Sequence, residues 1–546
     1  MMAPTRGGLT WLSKNMIAWY LVISTALLLV ILKVAPHFSY SLDDPYIHLA
    51  LAQNILHGHY GLNTGETVSP SSSILWPFLL APFSESRVRE WVPLAWNTLF
   101  SLATCVVLGR FLTPRLQKSS IGRAETLFFA LVLVVAANLV GLTFTGMEHC
   151  LQILLITLCA MAVIIAYEGA PVPRYGLVAA ALAPAIRYED LVFTIAVCAA
   201  VWLQKRRLAA VSTFVVSFAP IFLLGLFLRL HGLSFFPNSV LSKGKVAGAG
   251  SGQAANHAAL AQLLIRLKEN ILSYILPDDP SRYPLAILFL CVAFLLWKNR
   301  SIHRPILLIP SLAAALTMML IGPYGWFYRY DVCERLFLFL IALCLVLQVL
   351  PGRRWLVWSV AVIAAIAYVP AIVRTDFASI QIARQQYEMH RFASEFIHEN
   401  VALNDLGWVS FDSGGRFYVL DLVGLGSNET LRIAEKDKTP EWLDAITRKH
   451  DIGLVMLYRR WFKKVPSNWI PLGTLEQKTL QFESSSADTT VDFYATSQAS
   501  AERLEPEVQR FAASLPPNVW FRPNAPYALV SKSVALVLVE HPGDRR

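Results

Sequence analysis

IAWYLVISTALLLVILKVA, residues 17–35, runs directly into PHFSYSLDDPYIHLA, residues 36–50. The first string is apolar over the length a helix needs to cross a bilayer, roughly 20 residues. It is too long for the core of a signal peptide, and no small-residue cleavage site follows it, so it reads as a retained anchor. The second string sets two adjacent acids, Asp43 and Asp44, at the far end of that span, followed by Pro45, Tyr46 and His48.

The rest of the chain extends this reading. Of 546 residues, 55% are hydrophobic and 15% charged, with mean hydropathy +0.49. Soluble domains carry about a quarter charged residues, so this composition is that of an integral membrane protein with some water-exposed mass. The net charge of +10 belongs to cytoplasmic loops of Lys and Arg that set topology, and implies no nucleic-acid partner. None of the seven cysteines lies beyond Cys344, and none shows metal-type spacing.

Spans are expected near 15–35, 91–113, 122–141, 148–167, 208–229, 283–298, 303–321, 335–350 and 354–373. The stretch 174–204 is apolar except for IRYED, residues 186–190, and reads as two shorter helices joined there, for about eleven spans. One long helix would bury those charges in lipid at a cost of several kcal/mol. With the N-terminus inside, RFLTPRLQKSSIGR, EGAPVPR, LQKRRLA, KNRSIHR and PGRR are cytoplasmic, and each carries Lys or Arg. The opposite side receives SLDDPYIH, TFTGMEH, IRYED, FFPNSVLSKGK and PYGWFYRYDVCER.

The expected architecture is a polytopic α-helical domain over 1–373, with a first external loop at 36–90 and a second at 230–282. An extracytoplasmic α/β domain follows over 374–546. In the latter, FASIQIARQQYEMHRFASEFIHEN and PEWLDAITRKH read as helices. WVSFD, RFYVLDLVGL, DIGLVMLYRR and YALVSKSVALVLVEH read as strands, and GAGSGQAAN, in the second external loop, as flexible.

Asp44 reads as the cap of a short helix over YIHLALAQNIL, with Pro45 in its first turn and Ile47, Leu51 and Ile55 at the spacing of an interfacial face. Capping leaves Asp43 unexplained. Two carboxylates this close repel, which raises the pKa of one and suits it to general-base work. His48, His57 and His59 read as loop polar groups, because the His57-Gly-His59 spacing is poor for one metal ion. Lys243 serves equally as an ordinary loop lysine, and Arg335 has a competing assignment as the ion-pair partner of Glu334. Asn428-Glu-Thr matches a glycosylation sequon.

The block DDPYIHLALAQNILHGHYGLNTGETVSPSSSILWP resembles the first external loop of GT-C glycosyltransferases, polytopic enzymes that use polyprenyl-phosphate sugars. It is most similar to bacterial arabinofuranosyltransferase-like and ArnT/PMT-like membrane enzymes. TGMEH, IRYED, FPNSVLSKGK, FYRYDVCER and DLVGLGSNE resemble further strings of that family in the same order. PNSVLSK keeps only Pro, Asn and Lys of its counterpart, and RYDVCER lacks the proline after RY, so the resemblance leaves the sugar open.

The resemblance implies a bacterial inner-membrane hexosyl- or pentosyltransferase with its site and C-terminal domain on the periplasmic side. Its partners would be a polyprenyl-phosphate-linked sugar donor, a cell-envelope glycan or lipid acceptor, and the bilayer. Asp43 would be the base of an inverting displacement, with Asp44 as helper or as ligand of a divalent cation (Mg, Mn or Ca) on the donor phosphate. Arg187, Lys243, Arg329 and Arg335 would stabilise the departing phosphate, and Glu148, Glu189 and Asn238 would orient those cations or bind sugar hydroxyls. Two other classes compete: a transporter or flippase of a lipid-linked sugar, and a non-catalytic envelope assembly factor. A transporter would favour charges at mid-membrane depth and internal two-fold symmetry; the polar residues here sit at span ends and no repeat is visible.

Overall fold

The computed structural model describes residues 8–117, 122–241, 255–275, 280–298, 305–411, 413, 415–436, 439–479 and 485–523. Lys243, all but the last two residues of GAGSGQAAN and the whole of the expected closing strand lie outside them. The chain divides into two compact units. One comprises Met1–Leu28, Leu94–Leu223 and Ala259–Val373; the other comprises Leu29–Pro93, Leu224–Ala258 and Arg374–Arg546.

The first unit is helical. Among the described residues, six helices are long and apolar enough to cross a membrane: Trp11–Val34, Arg89–Gln117, His149–Tyr167, Arg207–Leu230, Val332–Val349 and the start of Arg354–Ile397. This is a multi-pass membrane protein. Three more apolar helices, Ala124–Ala136, Arg174–Ile186 and Ile309–Ile321, are shorter than a crossing requires. The apolar stretch 174–204 is two helices, Arg174–Ile186 and Leu191–Leu203, with Arg187–Asp190 between them. Two spans are interior: 83% of Val332–Val349 and 78% of His149–Tyr167 are buried by protein, against 11% of Trp11–Val34. A further helix, Ala255–Ile275, occupies much of what was expected to be loop.

In the loop 323–331, Gly325, Trp326, Phe327 and Tyr328 are all left-handed, with φ of 69°, 46°, 59° and 57°. Such a turn costs about 1–2 kcal/mol per non-glycine residue, so its neighbours must hold it. Arg329 N donates to Gly325 O at 3.2 Å, Asn138 Nδ2 donates to Tyr328 O at 3.2 Å, and Gly325 N donates to Asp331 Oδ1 at 3.3 Å.

The second unit is built on a six-stranded mixed sheet in the order β2-β1-β3-β5-β4-β6. The strands are β1 (Val401–Leu403), β2 (Val419–Asp421), β3 (Leu454–Leu457), β4 (Ile470–Gln477), β5 (Thr490–Ala495) and β6 (Val519–Pro523). β1, β2 and β3 are mutually parallel; β5, β4 and β6 continue the sheet antiparallel. Side chains alternate as the pleat demands. Leu403, Leu454 and Met456 face a core shared with Phe392, Phe493 and Phe511; Ala402, Val455 and Leu457 face a second core with Leu443 and Ile446. The α/β character expected of this region is present. Within RFYVLDLVGL and DIGLVMLYRR, strands form where expected, and Glu441–Lys449 is the expected helix.

WVSFD is a correction: its first residues belong to a single helical turn, Gly407–Ser410, not a strand. β4, β5 and β6 are additional strands, and Gln498–Ser514 an additional helix. At the β4 bulge, Gly473 sits at φ +154°, where a Cβ would meet Arg522 O at 2.4 Å.

Residues of the first external loop are part of this unit. The helix Asp44–Leu56 buries Pro45 through Ala52, and Ile47, Ala50 and Leu51 join the core of β1 and β3. It is therefore a core helix, not one lying along the membrane interface. Burying each such aliphatic side chain is worth roughly 1.5–3 kcal/mol.

Candidate functional site

Asp43 occupies the N-cap position of Asp44–Leu56, but its side chain makes no bond to that helix. Asp44 is the first helical residue, one position later than a cap. The Asp43 carboxylate instead caps a turn 364 residues away: Gly407 N donates to Oδ2 at 2.5 Å and Trp408 N to Oδ1 at 2.9 Å. The approach is so close that a Cβ on Gly407 would lie 2.1 Å from Asp43 O and 2.6 Å from its Cγ. Trp408 then stacks on Tyr46, ring centroids 3.9 Å apart, so both ends of the acidic string are pinned to one turn.

Asp43 is also hydrogen-bonded to a carboxyl that sequence reading missed, Asp405. Burial, then the charge of Asp405, hold Asp43 well above the usual carboxylate range, against the pull of the Trp408 and Gly407 N–H groups. Burial raises Asp405 as well, while bonds from Gln386, Tyr458 and Asp43 hold it back. Gln386 Nε2 and the Tyr458 hydroxyl each lie 2.8 Å from Asp405 Oδ2. Asp43 is 4% exposed, whereas Asp44 and Asp405 keep part of their surface open.

The three histidines singled out in this region each have a polar partner. His48 Nδ1 lies 3.1 Å from Ser71 Oγ, His59 Nε2 2.8 Å from Asn63 O, and His57 pairs with Glu85 at 3.0 Å. Among the described residues no three His, Cys, Asp or Glu side chains group to hold a metal ion. No step below is routed through a metal ion.

Asn238 is buried, and its Nδ2 donates to Asn428 Oδ1 at 3.0 Å and to Gly424 O at 3.3 Å. It thus anchors DLVGLGSNE, where Asp421 accepts from Val423 N at 2.8 Å and Gly426 N at 2.6 Å. Burial pushes Asp421 up to about 6 despite these bonds.

In the first unit, three of the strings singled out in the sequence meet. Arg187, from IRYED, is 4% exposed; its Nη1 donates to Glu148 Oε1 at 2.9 Å and its Nη2 pairs with Glu189 Oε1 at 2.7 Å. Its guanidinium lies 5.3 Å from the Tyr330 ring centroid. Arg329, delivered by the left-handed turn, is buried 5.0 Å from the same ring. Behind them, Asp190 Oδ1 accepts from Gln152 Nε2, whose Oε1 lies 2.8 Å from His149 Nδ1. Arg335 is fully buried and pairs with Asp331 at 2.7 Å, not with Glu334; Tyr368 donates to the same oxygen at 3.1 Å.

Comparison with known proteins identifies residues 378–494 with a Domain of unknown function (DUF8728). No curated protein matches the chain. Among solved structures, the Archaeoglobus fulgidus oligosaccharyltransferase in the apo form is similar at 12% identity and TM-score 0.41, over 92% of this chain and 76% of that one. The archaeal oligosaccharyltransferase AglB of the same organism, with an inhibitory peptide and a dolichol-phosphate, gives 10% identity and TM-score 0.42 over 92% and 76%. The Archaeoglobus fulgidus enzyme with Zn and sulfate gives 11% identity and TM-score 0.38 over 92% and 75%. The functional reading rests on this chain's own residues.

Proposed function

We propose that this protein is a membrane glycosyltransferase of the GT-C type. It moves a hexosyl or pentosyl unit, with inversion, from a polyprenyl-phosphate donor to a cell-envelope glycan or lipid acceptor. The reaction takes place on the periplasmic face of a bacterial inner membrane. The observation that carries the reading is the meeting of TGMEH, IRYED and FYRYD, separated by up to 180 residues, in one buried ion-paired cluster. Buried, partnered charge at span ends is costly and marks a site that handles charge.

In this reading Asp43, with Asp44 beside it, takes the proton of the acceptor hydroxyl. Arg187, Arg329, Arg335 and Lys243 stabilise the phosphate as it leaves, and Glu148, Glu189 and Asn238 fix their surroundings. A single displacement of this kind asks for one base and a cationic surface.

The test is transfer by purified protein in lipid nanodiscs, supplied with polyprenyl-phosphate sugars. Asp43→Asn should lower turnover by about 100-fold or more; unchanged turnover removes Asp43 from the reaction. Mass spectrometry of envelope glycans from a deletion strain then names the sugar from the mass that disappears.

A further inference from the structure

Asp405 lies two residues before the Gly407–Ser410 turn, inside the region matched by the domain of unknown function. Its carboxyl is hydrogen-bonded to that of Asp43. Two carboxylates at hydrogen-bond distance cannot both stay ionised, so the pair holds one proton between them. Each carboxyl accepts two donors, so either can carry the charge of the pair. Asp405 accepts from Gln386 Nε2 and the Tyr458 hydroxyl, both at 2.8 Å, which stabilises its ionised form. Asp43 accepts from Gly407 N at 2.5 Å and Trp408 N at 2.9 Å, which stabilises its ionised form in the same way.

The surroundings are also prepared for a polar ligand. Gln386, whose Nε2 is fixed on Asp405, has a buried Oε1 with no hydrogen-bond partner among the described residues. The same holds for the indole Nε1 of Trp408, whose main-chain N–H is fixed on Asp43. One acceptor and one donor thus sit on the residues that bond the acid pair.

We infer that Asp43 and Asp405 act as one proton-accepting pair that shares the acceptor's proton, so that the domain of unknown function completes the acid site of the first external loop. The inference rests on the glycosyl-transfer reading above. The acceptor O–H bond breaks and its proton passes to the ionised carboxylate of the pair. The freed oxygen pair forms the bond to the anomeric carbon, and the carbon–oxygen bond to the lipid phosphate breaks, its electron pair leaving with the phosphate. No oxidant or further reactant is required.

The experiment uses the full-length protein in nanodiscs with a polyprenyl-phosphate sugar, comparing D43N, D405N and the double variant, each checked for its unfolding midpoint. Each single change should lower kcat about 100-fold with KM within about twofold, and the double variant should be no slower than the slower single. Losses that multiply in the double variant overturn the pair. So does a D405N protein within about threefold of wild-type kcat while D43N is inactive; glycosyl transfer itself then stands. If wild-type protein transfers no sugar from any such donor, the glycosyl-transfer reading fails instead. Should D405N not fold, Tyr458→Phe decides: it removes one donor to Asp405 and should cost kcat about 3- to 10-fold with KM unchanged, and unchanged kcat overturns the inference.

Discussion

Gly407 and Asp421 show how single residues carry this molecule. An alanine at Gly407 would drive its methyl against Asp43 O and Cγ, atoms of a backbone and a pinned side chain that cannot both yield. Overpacking of this kind costs about 1–3 kcal/mol. Gly407→Ala should therefore lower the thermal midpoint of the purified protein and, with Asp43 displaced, its transfer rate; a protein with wild-type midpoint would show that the turn moves freely. Asp421 makes a pH prediction. Its carboxyl is raised from 3.8 to about 6 in the folded state. Folding thus favours the protonated form, and the stability this group contributes is fully present below about pH 4 and lost as pH rises through about 6. Asp421→Asn leaves one of the two N–H groups of its turn short of an acceptor, lowering stability throughout. It should also flatten the decline between pH 4 and 6, by about 2–3 kcal/mol. Unfolding midpoints of both proteins across that range check this; parallel curves would show that Asp421 keeps its ordinary pKa.

Among the elements, the short helices flanking Arg187 depend on a buried ion pair rather than on their own propensity. Removing one partner of such a pair leaves an uncompensated charge and costs about 3–5 kcal/mol. Arg187→Met and Glu148→Gln should each be strongly destabilising, and the double variant much less so than their sum, measured by unfolding in detergent. Simple additivity would mean the two groups do not interact. This break at IRYED was legible from sequence, because charges interrupting an apolar run have few places to go. Strands β2 and β3 were legible from their apolar runs. Gly407–Ser410 was not: WVSF has strand-like composition, and its helical turn depends on Asp43, distant in sequence, bonding its first N–H groups. Asp405 escaped for the same reason, since NDL carries no local signal and acquires its partner only through tertiary packing. β4 was hidden by the bulge at Gly473, which breaks the alternation that marks a strand.

For the whole molecule, sidedness follows from charge. The basic connections and the acidic and aromatic ones alternate along the sequence, so the proposed topology expects Thr64 outside and Lys205 inside. Both are exposed, and the native cysteines are buried or partly buried. In intact cells a membrane-impermeant maleimide should label Thr64→Cys, and should label Lys205→Cys only after permeabilisation; the reverse pattern would invert the topology. The sequon Asn428-Glu-Thr bears on how such a protein should be handled. The Asn428 amide donates to Thr67 O at 2.8 Å while its Oδ1 accepts from Asn238, so the finished fold withholds this nitrogen from chemistry. In a host that glycosylates nascent chains, a sugar at Asn428 would be added before these bonds close and would then block them. Occupancy at that one asparagine becomes an assay of maturation, and a preparation free of it is one in which three distant parts of the chain met in time.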